Sequence, residues 1–237
     1  MEQAQADRRD AKIAGFGELS GGVCGNVQIA GTGRVRGTMD ALRVNVAGAG
    51  NFDDNLVCEE LRVSGAAKFL RDVSCKSDLD VSGSCIVHGN LRAAWTVARG
   101  NIHVHGHMSG NRVEIKGGIT AENGIEAELF EGRGRINVRG LLNAERVEIS
   151  GDGNIDEIGC TYANIRPEQH LFFHKLSQIH IQSIEGDNLS LSNVQAHSVR
   201  GVDVLVDKGC RIDRLECTGT LRIHDSAWVG EVVRKEG

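Results

Sequence analysis

LRVSGAAKFLRDVSCKSDLDVSGSCIVHGNLRAAWTV, residues 61–97, decides the fold. Six-residue steps from Leu61 land on Ala67, Val73, Leu79, Cys85, Leu91 and Val97, all apolar. The same steps from Val63 land on Phe69, Cys75, Val81, Val87 and Ala93, again all apolar. Between the two series stand Arg62, Lys68, Ser74, Asp80, Ile86 and Arg92, polar with one exception. Apolar side chains at i and i+2 with a polar one between are the period of a half-buried strand, not of a helix. Each six-residue unit therefore turns two side chains inward, and three units make a predicted turn of 18.

The same strand-then-glycine unit recurs outward from this stretch. It reads VQIAG (27–31), IHVHG (102–106), VEIKG (113–117), INVRG (136–140) and VEISG (147–151). Glycine permits the sharp bend that closes each unit. Beyond residue 100 the period tightens to 17, as in Ile102, Ile119 and Ile136, in Val113, Phe130 and Val147, and in Met108, Ile125 and Leu142. Three interleaved series per turn imply three strand faces around one core. Helical repeats need about 30 or more residues per unit and propeller blades about 40, so neither fits. The predicted fold is an all-β parallel β-helix, a triangular solenoid with 17–18 residues per turn.

The rhythm breaks at RPEQHLFFHKL (166–176), which holds the single proline, Pro167. It resumes as IHIQSIEG (179–186), LSLSN (189–193), VDVLVDKG (202–209) and LRIHD (221–225). The predicted organisation is a disordered tail over 1–14, a β-helix over 15–165, a connecting segment over 166–178, read as a boundary or a large loop, and a second, shorter β-helical lobe over 179–233.

Composition narrows the function. The 237 residues include 31 glycines, one proline and 4% aromatics, at net charge −5. Disordered chains are usually proline-rich, and phosphate-backbone binding needs a concentrated basic face, so a disordered chain and a nucleic-acid partner are both disfavoured. The opening MEQAQADRRDAK lacks the apolar core of a signal peptide, and no run approaches ~18 apolar residues. Seven cysteines without a CxxC pair argue against a zinc cluster or thioredoxin motif. A cytoplasmic protein without a direct transmembrane segment is expected, since free thiols suit a reducing compartment.

GNVQIAGTGRVRG (25–37) and VSGSCIVHGNL (81–91) resemble the bactofilins, bacterial polymer-forming cytoskeletal proteins, and the resemblance extends over 15–165. GLLNAERVEISGDGNIDEIG (140–159) and IEGDNLSLSNVQAHSVRGVDV (184–204) resemble a longer, two-lobed branch of that family. The resemblance implies a right-handed triangular β-helix that assembles without nucleotide. It further implies a scaffold in cell shape, envelope organisation or motility, located in the cytoplasm at the membrane periphery. The implied partners are further copies of the chain and other bactofilin-like or envelope proteins. Unlike the common family plan, the tails here are short and a second lobe is expected.

Both ends of a β-helix leave strand edges unpaired, and open edges pair with other strands. The candidate assembly residues are therefore Phe16 and Leu19 before the first clear repeat, and Trp228 and Val229 after the last, with Val232 and Val233 beside them. His103, His105 and His107 alternate with inward residues and read as a solvated face, with His88 stacking beside His105; no metal is assigned. Asp53–Asp54 and Glu59–Glu60 read as solvated corner acids. The glycine runs at 31–37 and 132–140 lack the strand–loop–helix setting of a phosphate cradle. No catalytic residue and no cofactor is assigned, and an enzyme is not expected. The competing reading is a β-helical enzyme of the hexapeptide acyltransferase type. Those helices favour a small residue just after the inward aliphatic, where this chain has Arg62, Lys68, Asp80 and Arg92.

Overall fold

Alternating side chains need a surface to bury against, and here each turn of chain supplies it for the next. The computed structural model describes residues 8–167 and 178–234, and every regular element among them is a β-strand. The chain divides into two compact units, Met1–Asn111 and Arg112–Gly237. Unit 1 contains β1 (Ala11–Ile13), β2 (Phe16–Ile29), β3 (Thr32–Val46), β4 (Ala49–Phe52), β5 (Leu56–Val63), β6 (Ala66–Phe69), β7 (Val73–Val81), β8 (Ser84–Val87), β9 (Leu91–Ala98), β10 (Asn101–Val104) and β11 (Met108–Ser109). Unit 2 contains β12 (Arg112–Ile115), β13 (Gly118–Ala121), β14 (Ile125–Arg166), β15 (Ile179–Leu191), β16 (Val194–Val206), β17 (Arg211–Cys217), β18 (Leu221–Ile223) and β19 (Trp228–Arg234). In both units parallel strands stack turn upon turn as a β-solenoid, in agreement with the predicted class.

In unit 1 the register lines buried side chains into columns. Val35, Phe52, Phe69, Val87 and Val104 form one column, and Met39, Leu56, Val73, Leu91 and Met108 another. The rings of Phe52 and Phe69 stack at 4.6 Å. Each large apolar side chain buried in this way contributes about 1.5–3 kcal/mol. Arg62, Lys68 and Arg92 are exposed and Asp80 half-exposed, as the alternation predicts. Outer charges pair across neighbouring turns, as in Arg34–Asp53 at 2.8 Å, Lys76–Glu59 at 2.7 Å and Arg99–Asp80 at 3.0 Å. Such exposed pairs add little each.

The 17-residue turn expected beyond residue 100 also occurs before it. Leu56 pairs with Val73, Thr32 with Ala49 and Leu79 with Thr96, all 17 apart. Across one turn, the pairs from Leu61–Leu79 through Phe69–Val87 to Cys75–Ala93 are 18 apart, because β7 carries one extra residue between Cys75 and Leu79, where the register shifts. Hexad counting stays in phase only across that turn. Val97 is therefore half-exposed, while Thr96 and Ala98 point inward.

Glycine marks one corner of unit 1 because a side chain there has no room. A Cβ on Gly31, Gly48, Gly65, Gly83 or Gly100 would lie 2.0, 2.0, 2.1, 1.9 and 1.9 Å from the carbonyl oxygen of the glycine one turn before.

Two organisational expectations are corrected. The tail ends sooner than residue 14. Ala11–Ile13 pair with Val27–Ile29, Asp10 accepts hydrogen bonds from Asn26, and Arg8 bridges to Asp40 at 2.8 Å; residues 1–7 lie outside the described residues. Nor does 166–178 separate two lobes. Gly153 pairs with Ile179 and Ile165 with Leu191, both 26 apart, so strands on either side of the segment are neighbours in one ladder. The segment is an insertion into a single turn, and its residues 168–177 lie outside the described residues. The division between units falls instead at 111/112, inside the stretch expected to be one lobe.

Candidate assembly surfaces

A strand inside a stack has a neighbour above and below; the first and last turns do not. In unit 1, β1 pairs with the end of β2, and the first half of β2 pairs with β3, with no described turn before them. Leu19 stands opposite Val35 and so opens the column that continues through Phe52 and Phe69. It is half-exposed because nothing described lies beneath it. Phe16 stands opposite Thr32, at an outward position, and is 93% exposed. Val23 of the same strand, which sequence reasoning missed, stands opposite Asp40 at 62% exposure.

In unit 2 the last turn comprises β18 and β19, which pair with β16 and β17 and are followed by no further turn among the described residues. Val229 extends the column of Ile212, and Val232 that of Leu215. Leu221 and Ile223 likewise extend the columns of Val204 and Val206. All four of the preceding residues are buried, whereas all four terminal ones are partly or largely exposed. The result is an apolar layer with no turn over it among the described residues. Trp228 is not part of this layer. It pairs with Arg211 on the outward side, and the Arg211 guanidinium sits 4.3 Å from its ring centroid. Alternation ties the two together: if Val229 faces inward, Trp228 faces out. Of the four residues singled out in the sequence, Leu19 and Val229 stand in core columns; Phe16 and Trp228 flank them. Val232, named beside them, also stands in a core column, whereas Leu221 and Ile223 were legible only as further members of the same apolar alternation.

Elsewhere the polar side chains show less convergence. A shallow groove in unit 2 is lined by Asp156, His180, Gln182, Gln195, His197 and Asp213, with His197 Nδ1 3.0 Å from Asp213 Oδ2. His88, His103 and His105 share an outer face of unit 1. The cysteines are free, and the most buried are held as thiols. Cys75 is pushed up by its hydrogen bond with Cys58, 3.3 Å away, and by burial, and Cys85 is pushed up to about 12 by burial. No helix among the described residues is long and apolar enough to cross a membrane.

Comparison with known proteins adds little to this. No protein-family model matches the chain, and no solved structure matches it. Over 63 residues the chain is 33% identical to the uncharacterized protein YhbF of Bacillus subtilis (strain 168), a match covering 27% of this chain and 27% of that protein. The match thus spans about a quarter of the relative's length, in a chain whose own architecture is the β-solenoid.

Proposed function

We propose that this chain is a structural scaffold, a bactofilin-like element that assembles with copies of itself without nucleotide by adding β-solenoid turns at its ends. The observation that carries the reading is the layer of Leu221, Ile223, Val229 and Val232, which repeats the core columns below it and has no turn above it among the described residues. A strand edge with unpaired N–H and C=O groups beside an apolar layer is a template for β-augmentation. Burial of that layer drives association, so no nucleotide is needed. Other bactofilin-like or envelope proteins are further partners of such a scaffold, and a cytoplasmic location at the membrane periphery suits it.

Sedimentation of purified protein tests this. An unpaired charge buried on assembly costs several kcal/mol, so Val229→Asp or Leu19→Asp should abolish or shorten polymers while the β-type circular dichroism persists. Arg92→Glu, on an outward face, should leave them unchanged. If Arg92→Glu dissolves the polymers while the end variants still pellet, assembly is lateral and the mechanism is wrong.

One observation favours a second reading, a β-helical enzyme of the acyltransferase type: the hydrogen-bonded His197–Asp213 pair in a groove. A coenzyme A-dependent thermal shift lost in His197→Ala, in protein that forms no polymer, would select it.

A further inference from the structure

Ile102 and Val104 of β10 point into the core, so His103 and His105 project from the opposite side of the strand. Strand β10 pairs with β8 in register, Asn101 opposite Ser84 and Val104 opposite Val87, and the N–H of His105 continues the ladder by donating to the Val87 carbonyl at 2.9 Å. This register sets His105 beside His88 on the neighbouring turn. Their rings lie 4.6 Å apart and nearly parallel, at 6°. On the other side, the His103 ring lies 4.2 Å from that of His105 and tilted by 31°. Alternate side chains on a strand stand about 7 Å apart at the backbone, so His103 and His105 lean toward each other. A ring nitrogen of each comes within 4.8 Å of the other. His103 and His105 are half-exposed and His88 exposed, leaving the rings within reach of solvent ions.

We propose that His88, His103 and His105 form a binding site for a divalent first-row transition-metal ion. Imidazole nitrogens suit zinc, copper and nickel, whereas calcium and magnesium require oxygen ligands. Zinc accepts nitrogen at about 2.0–2.1 Å, and three protein ligands with solvent in the fourth position complete a tetrahedron. Two ligand nitrogens of such a tetrahedron stand about 3.4 Å apart; His103 and His105 close a gap no wider than 4.8 Å, and His88 joins them from a ring 4.6 Å from that of His105. The ion lies in the plane of each ring that binds it, and the parallel rings of His88 and His105 must turn about χ2 to converge. That torsion is broad and two-fold in histidine, so turning requires no backbone movement. His88 comes from one turn and His103 and His105 from the next, so the ion clamps adjacent turns. An ion that binds the folded chain in preference to the unfolded one raises its stability.

The test uses the full chain without a histidine tag, stripped with a chelator and titrated with zinc chloride by calorimetry and with cobalt(II) by visible absorption. One equivalent of zinc per chain, a tetrahedral cobalt spectrum and a rise in melting temperature with zinc are expected. His105→Ala, which removes the ring touching both others, should weaken zinc binding at least a hundredfold, and His103→Ala and His88→Ala at least tenfold. His197→Ala and His224→Ala, in the other unit, should bind as the parent does. His105→Gln, with circular dichroism as the check on folding, repeats the loss with a side chain of similar size. Failure of the parent to bind zinc, or binding unchanged in the His103 and His105 variants, would overturn the assignment.

Discussion

Replacing Gly65 with alanine isolates the constraint that sets the solenoid corner. The added Cβ would lie 2.1 Å from the Gly48 carbonyl oxygen and 2.4 Å from that of Ala47, both backbone atoms of the turn below. No side chain can swing away to relieve the contact, so the two turns must part locally. The bonds at risk are those from Ser64 N–H and Gly65 N–H to the Val46 carbonyl and from Ala66 N–H to the Gly48 carbonyl, at 2.9, 3.1 and 2.8 Å. At about 0.5–1.5 kcal/mol each, losing all three costs roughly 3 kcal/mol. For a chain of this size that corresponds to a fall of about 6–12 °C in melting temperature. Gly15 begins the same column but has nothing within 4 Å of an added Cβ. Gly15→Ala should be neutral or slightly stabilising, because alanine lowers the entropy of the unfolded chain. Thermal denaturation followed by circular dichroism measures both variants. Equal losses in the two would refute the steric argument, since they share the residue change and differ in the turn beneath.

Three further outcomes follow from the packing. Phe69→Ala, which removes a fully buried ring stacked on Phe52, should cost about 3–5 kcal/mol in chemical denaturation. Stability should fall at alkaline pH. The Cys85 thiol, at 9.0 ordinarily and about 12 when folded, ionises first in the unfolded chain, so its contribution is intact below about pH 9 and lost towards pH 12. At about 1.4 kcal/mol per pH unit the loss approaches roughly 4 kcal/mol; denaturant midpoints across that range should show a shallower decline in Cys85→Ala. Thiol labelling of native protein at pH 8 should modify half-exposed Cys24 before Cys58, Cys75 and Cys85, which are buried; faster labelling of Cys85 than of Cys24 would contradict its burial.

How much of this was legible in the sequence depended on whether a feature is local or set by stacking. Strand alternation is local, and Leu61, Val63, Ala67 and Phe69 face inward as their spacing predicts. Turn length is set by how one turn sits on the next. A single extra residue in β7 held the hexads in phase and hid a 17-residue period that Val97 exposes. Pro167 and the loss of rhythm after it do mark an interruption. Only the pairing of Gly153 with Ile179 shows it to lie within one turn, because an insertion and a lobe boundary interrupt a period in the same way. Likewise the ring contacts of His88 and His105 require register, although their separation of 17 gave the hint.

The terminal surface obeys the same division. In WVGEVV (228–233) the sequence shows apolar residues but not which of them continue the core, since alternation alone fixes a face only relative to a neighbouring turn. Pairing with β17 supplies that reference: Ile212 places Val229 inward and Leu215 does the same for Val232, while Arg211 draws Trp228 outward. Val232 follows Val229 by three positions, as Leu215 follows Ile212, so the terminal layer repeats the corner below it rather than folding over it. A cap closes a stack by breaking its columns with polar or crossing chain. Here the columns run through Leu221, Ile223, Val229 and Val232 in the register of the turn below. What best buries such a layer is another turn with apolar residues at the same positions, and a second copy of the chain offers Leu19 in a column of that kind.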